Sequence, residues 1–159
     1  MDTIDYPLND FKKILDVNVT GSFLLARQTA RIMRDTGENG SLAMIASMSG
    51  QKANRGIHCS AYKTSKAAVQ QMCRSLAVEF GNYGIRVNSP SPGYIRTPMT
   101  GQFLAEKPEI ERLWMMGALL GRLGGPEDFE APAIFRLADG SSFMTGADLR
   151  VDGGHCASA

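Results

Sequence analysis

Tyr62 and Lys66 stand four residues apart in Tyr62-Lys63-Thr64-Ser65-Lys66, a spacing that brings a phenol and an ammonium to one face of a helix. Such pairs recur on many solvated helices, so this one gains meaning only from its neighbours. The segment before it opens with Ser47, which ends the short apolar run Leu42-Ala43-Met44-Ile45-Ala46. Phenol, ammonium and hydroxyl together suit the reversible reduction of a carbonyl. Hydride addition to C=O builds an alkoxide, which needs a proton donor within hydrogen-bond reach. A free tyrosine has a pKa of about 10, so exchanging that proton near pH 7 asks for a drop of about three units, roughly 4 kcal/mol. A neighbouring lysine cation supplies much of it by favouring the phenolate. A serine hydroxyl polarises the same oxygen while adding no buried charge.

The elements that must position these groups follow from periodicity. Phe11, Ile14, Leu15, Phe23, Leu24 and Met33 recur at near-helical intervals, which predicts one long helix from about Asn9, its N-cap, to Met33. A turn over Thr36 to Gly40 leads into a buried strand at Leu42 to Ala46, and a polar loop over Ser47 to Ser60 follows. The next helix carries Val69, Met72, Cys73, Leu76, Ala77 and Phe80 on one apolar stripe and stops at Gly81-Asn82-Tyr83-Gly84. Ile85 to Ser89 reads as a second strand and Asp148 to Asp152 as a last one, with helices within Glu106 to Met116 and from Pro126 to about Ala138. This alternation predicts a Rossmann-like α/β fold, a doubly wound parallel sheet with helices on both faces. Ligands in such sheets sit at the C-terminal strand ends, where Ser47 and Pro92-Gly93 fall.

Asn18-Val19-Thr20-Gly21-Ser22-Phe23, Ile45-Ala46-Ser47-Met48-Ser49-Gly50, Tyr62-x-x-x-Lys66, Pro92-Gly93-Tyr94-Ile95-Arg96-Thr97 and Val151-Asp152-Gly153-Gly154 resemble successive motifs of the short-chain dehydrogenase/reductase family, in family order. The resemblance implies an oxidoreductase that moves hydride between NADP or NAD and a small carbonyl or alcohol, with NADP preferred by resemblance alone. It implies Tyr62 as general acid/base, Lys66 lowering its pKa and bonding the nicotinamide ribose, Ser47 on the substrate oxygen, and Asn18 holding a water that relays protons from Lys66. Pro92, Gly93, Ile95 and Thr97 would line the nicotinamide, the glycine allowing close backbone approach. Ser49 rivals Ser47, since it lies at the commoner spacing of thirteen residues before Tyr62 rather than fifteen. Ser47 is preferred because Gly50 then aligns with the family's glycine. Thr100 to Gly117, with Phe103, Leu104, Leu113, Trp114, Met115 and Met116, resembles the family's mobile substrate lid and reads equally as a plain packing helix. The sugar and polyol members are the most similar in look.

The family opens on a strand and a Gly-x-x-x-Gly-x-Gly turn whose amides receive the pyrophosphate, and nothing of that kind precedes Asn18. The 159 residues therefore read as a single domain, the C-terminal three-fifths of a member, with the N-terminal strands and Gly-rich turn missing. An unpaired apolar sheet edge is expected. Pro90, inside a strand, and Pro132, inside a helix where a proline costs about 3 kcal/mol, read as blemishes.

Composition sets the remaining bounds. With 43% hydrophobic and 21% charged residues the chain falls in the range of one globular domain, and a net charge of +1 gives no bulk field to draw in nucleic acid or an anionic membrane. Cys59, Cys73 and Cys156 have no metal-ligand spacing and are odd in number, which favours small packing residues in a reducing compartment. His58 and His155 read as surface residues, and no metal is expected. Neither a spanning apolar run nor the basic start of a secretion signal is present, so the cytoplasm is expected. A homodimer or homotetramer is implied for a complete member. The alternative reading is a non-catalytic remnant or interaction module that associates with full-length relatives through the helices starting near Asn9 and Tyr62.

Overall fold

The stripe on the helix following the serine loop is what the fold is built around. In the computed structural model, which describes residues 2–53 and 57–157, that helix is α3, Ser60–Phe80. Val69, Cys73, Leu76 and Ala77 on it close over Met44, Ala46 and Val87 from the sheet and Ala26 from the helix before it, with Leu42, Met72 and Phe80 packed around them. Full burial of a valine or leucine side chain stabilises by about 1.5–3 kcal/mol, so this cluster anchors α3.

Before it, α1 covers Leu8–Leu15 and α2 covers Gly21–Thr36, and between them Asp16–Thr20 forms a π-helical turn. The predicted single helix is thus interrupted at Asn18, and it starts from Pro7 rather than from an Asn9 cap. Pro7 is extended and its carbonyl accepts from the amides of Asp10 and Phe11. Such π turns insert one residue and rotate a side chain out of the helical sequence of positions.

Among the described residues the sheet has three strands in the order β1-β2-β3, all parallel: β1 Gly40–Ala43, β2 Ile85–Pro92 and β3 Asp148–Val151. Gly40 pairs with Ile85 and Ala43 with Asn88, while Ser89 pairs with Asp148 and Pro92 with Val151. Side chains alternate across β1. Leu42 packs toward the α3 cluster, whereas the Ser41 hydroxyl donates to the Arg136 carbonyl on the opposite side, at 3.0 Å. That carbonyl belongs to α6, Glu130–Leu137, so helices cover both sheet faces as the alternation predicts.

Two expected blemishes resolve differently. β2 runs through Pro90, whose carbonyl still accepts from the Ala46 amide at 2.9 Å; the missing donor falls level with the end of β1. Pro132 is the third residue of α6, because Pro126–Phe129 forms a separate 3-10 turn. First-turn amides have no intrahelical acceptor, so the proline costs the helix nothing there. The helix expected within Glu106 to Met116 is α5, Pro108–Gly117, and a further helix, α4 Pro98–Glu106, precedes it. Lys107 leaves helical geometry ahead of Pro108, as residues before proline do. The polar loop over Ser47 to Ser60 opens with a 3-10 turn at Met48–Gly50, and its residues 54–56 lie outside the described residues.

Candidate active site

Ser47 leaves the sheet in extended backbone and caps the Met48–Gly50 turn, its Oγ accepting from the Ser49 amide at 3.1 Å. It is buried. Its carbonyl accepts from Gln70 Nε2 at 3.0 Å, and the same amide nitrogen donates to Ser91 Oγ at 2.9 Å. Ser91 and Ser89 in turn donate to Asp148 Oδ1, each at 2.6 Å. A buried polar chain therefore runs from α3 across the strand ends and fixes the serine. Gly50 lets the turn press onto α3, since a Cβ there would lie 2.7 Å from the Ala67 amide nitrogen. Ser49, only partly buried, serves this turn with its backbone.

Tyr62 and Lys66 project from the first turns of α3. The Lys66 ammonium donates to the Ile45 carbonyl at 2.9 Å and stands 5.7 Å from the centre of the Tyr62 ring. Burial pushes the Lys66 pKa below its ordinary value. Asn18 is turned toward the same helix: its Nδ2 donates to Ser65 Oγ at 2.9 Å, and Ser65 Oγ donates to the Tyr62 carbonyl at 2.7 Å. Its own carbonyl accepts from Ser22 Oγ at 2.7 Å. The π turn puts Asn18 where it can reach α3. Asn18 and Lys66 both line a groove of about 370 Å³ between α2 and β1.

The remaining predicted residues follow β2. The Gly93 amide donates to the Val151 carbonyl, and a Cβ at Gly93 would lie 2.6 Å from Asp152 Cα, so glycine is required there by β3 itself. The Ile95 carbonyl accepts from Thr100 Oγ1 at 2.7 Å, and Thr97 caps α4 through a reciprocal pair of bonds with Thr100. Pro92 ends β2. The structure thus brings Asn18, Tyr62 and Lys66 together at the first turns of α3 and ties Ser47 to Gln70 farther along the same helix. Pro92, Gly93, Ile95 and Thr97 form a neighbouring strand end tied to β3 and Gly124.

Sequence reasoning missed Gln70, Ser65 and Asp148, which hold this site from behind. A polar residue beside the buried stripe, Gln70 next to Val69, was the available signal. His155, read as a surface residue, is buried, whereas His58 is exposed beside Asp2. The imidazole is packed against the Tyr94 ring, and burial pushes its pKa down. The three cysteines are free, Cys73 in the core and the others half-buried. Among the described residues no group of His, Cys, Asp and Glu could hold a metal ion, and no helix is long and apolar enough to cross a membrane.

A family model described as enoyl-(acyl carrier protein) reductase matches residues 1–156. The chain is 53% identical over 156 residues to a short chain dehydrogenases/reductase notP' of Aspergillus versicolor, covering 96% of this chain and 53% of that one. It is 39% identical over 145 residues to galactitol 2-dehydrogenase (L-tagatose-forming) of Cereibacter sphaeroides, covering 91% and 56%. Among solved structures, a short-chain type dehydrogenase/reductase from Mycobacterium marinum superposes with a TM-score of 0.90 at 42% identity, over 98% of this chain and 59% of that one. A 4-hydroxyisoleucine dehydrogenase complexed with NADH gives 0.93 at 32% identity, over 100% and 64%. A putative 2-deoxy-D-gluconate 3-dehydrogenase from Agrobacterium tumefaciens with bound NADP gives 0.91 at 29%, over 99% and 63%. The chain spans about half the length of the curated relatives it matches. Sequence motifs, parallel sheet, site geometry and these likenesses agree: the chain belongs to the short-chain dehydrogenase/reductase family.

Proposed function

We propose that this chain carries the acid/base half of a nicotinamide-dependent dehydrogenase that interconverts an alcohol and a carbonyl on a small polyhydroxylated molecule. The observation that carries the reading is the Lys66 ammonium, held by the Ile45 carbonyl and standing 5.7 Å from the Tyr62 ring centre. Tyr62 passes its phenolic proton to the oxygen of the carbonyl substrate, or takes it back from the alcohol. Lys66 stabilises the phenolate that remains. Ser47 donates its hydroxyl to the same substrate oxygen, its Oγ kept in place by the Ser49 amide and its backbone by Gln70. Asn18 steadies the Tyr62 turn of α3 through Ser65 and borders the groove through which Lys66 exchanges protons with solvent.

The donor set fits the nicotinamide end of a coenzyme. Lys66 and Tyr62 offer a cation and a hydroxyl for a ribose, and the Pro92–Thr97 strand end offers backbone and small side chains for a flat amide. When bound, the coenzyme supplies or accepts the hydride. NADP is preferred over NAD by resemblance alone. A sugar or polyol substrate is supported by the galactitol 2-dehydrogenase likeness. A cytoplasmic homodimer or homotetramer is the setting we propose for the whole protein.

The test joins residues 2–159 in frame to the part of the Aspergillus versicolor relative that this chain does not span. Oxidation of galactitol or arabinitol with NADP or NAD is the expected result, and Tyr62→Phe should lower the rate by about 100-fold or more. A well-folded hybrid that turns over no polyol or sugar, or whose rate ignores Tyr62→Phe, rejects the reading. A second reading, a non-catalytic association module, is favoured by the exposure of Val17, Leu25 and Ile45 along the unpaired side of β1. An inactive hybrid together with self-association of the chain would favour that one.

A further inference from the structure

Rings hold helix α5, which has no fully buried residue of its own. Trp114 on it stacks face to face on Tyr94, with centroids 4.2 Å apart and planes 3° from parallel. Phe103 of α4 leans on the same indole at 6.4 Å. The His155 imidazole meets Tyr94 edge-on, at 5.1 Å and 89°. Perpendicular contacts such as that of His155 on Tyr94 are a favoured geometry of aromatic pairs. Gly117, the last residue of α5, leaves the imidazole its room, because a Cβ there would collide with the ring.

His155 is also tied to the loop that Ser47 opens. Its carbonyl accepts from Lys52 Nζ at 3.0 Å, and Lys52 follows the turn that Ser47 opens. Gln51 beside it donates to Asp148 on β3 at 2.6 Å. The segment after β3 is itself fixed, with the Asp152 carboxylate accepting from the amides of Gly154 and Cys156 and the Gly153 carbonyl accepting from Leu120. One buried residue therefore touches, through its ring and its carbonyl, both the helices over the strand ends and the loop that carries the proposed catalytic serine.

We propose that His155 is a positioning residue that, acting through Tyr94, holds Trp114 and the α4–α5 pair in register with the Ser47 loop. That α4–α5 acts as a lid over substrate rests on the dehydrogenase reading above. The mechanical coupling itself does not, and it can be read without substrate or coenzyme.

Trp114 is the single tryptophan of the chain, so its emission and its quenching by acrylamide report the packing of α5 directly. His155→Ala should raise the quenching constant about threefold and shift emission to the red. His155→Phe, which restores a ring edge against Tyr94, should stay within about 1.5-fold of the wild type. Lys52→Met, which cuts only the tie to the loop, should give a rise of about 1.5- to 2-fold. Wild-type quenching in a cooperatively folded His155→Ala, or a His155→Phe as loose as the alanine variant, overturns the proposal. Should His155→Ala fail to fold, Lys52→Met decides: a rise supports the coupling and wild-type quenching refutes it. An inactive hybrid enzyme with these fluorescence results intact would reject the dehydrogenase reading alone.

Discussion

Ser47 and Ser49 lie two residues apart in one turn, yet they are built into it differently. Ser47 is buried, with its carbonyl fixed by Gln70 and its Oγ accepting the Ser49 amide, an arrangement that leaves the hydroxyl proton to be aimed outward. Ser49 gives the turn its backbone N–H. In an active hybrid, Ser47→Ala should therefore lower kcat/KM by about 100-fold or more, the scale of losing one donor to a developing oxyanion. Ser49→Ala should cost less than about tenfold. Ser47→Ala also removes a turn cap worth about 1 kcal/mol, so a small fall in Tm accompanies it and is not the measured effect. Steady-state rates of the two variants check this, and the opposite ranking would move the serine role to Ser49. Tyr62, Lys66, Ser47 and Asn18 stood out as candidates because types and spacings survive in a linear string. Gln70, Asp148 and His155 did not, because each gains its partner only when β2 and β3 bring distant segments together.

At the level of elements, α3 was legible to its last turn, since a long apolar stripe at helical period dictates which face is buried. The break at Asn18 and the split at Lys107 were less so. The first depends on a bond to Ser65 from another helix, while the second was written in Thr97-Pro98 and Lys107-Pro108, an N-cap and two first-turn prolines. The α6 helix carries the least expected residue. Arg136 is fully buried, and none of its guanidinium nitrogens has a hydrogen-bond partner among the described residues. Burial pushes its pKa down, with Asp148 opposing. Its backbone carbonyl, accepting from Ser41, Arg86 and Ser141, is what joins α6 to the sheet, and that bond survives any side-chain change. Arg136→Met should thus stabilise the chain by about 1–3 kcal/mol, because a long apolar side chain replaces polar atoms buried without partners. Thermal unfolding checks it, and a lower Tm for Arg136→Met would mean that the guanidinium contributes more through Asp148 than its burial costs.

For the molecule as a whole, the consequence lies along β1. Parallel sheets are normally covered on both faces, and here Val17, Leu25 and Ile45 stand 66%, 72% and 59% exposed beside a strand that, among the described residues, is paired on one side only. Lys66 lines the groove there, so the ammonium proposed to assist Tyr62 and the unpaired edge share one surface. The 159 residues contain no Gly-x-x-x-Gly-x-Gly run, and the groups proposed above for a coenzyme are those for its nicotinamide and ribose. Contacts to the pyrophosphate at a helix N-terminus supply charge-assisted hydrogen bonds that one ammonium and a few backbone groups do not replace. A dissociation constant of 1 mM corresponds to about −4 kcal/mol, and ordering a flexible dinucleotide against half a site consumes a comparable amount. Titration of the chain with NADPH and with NADH should therefore show no binding tighter than about millimolar. Micromolar affinity for either would mean that the groove between α2 and β1 holds phosphates by groups not recognised as such, and the division of labour between the two halves of the fold would have to be redrawn.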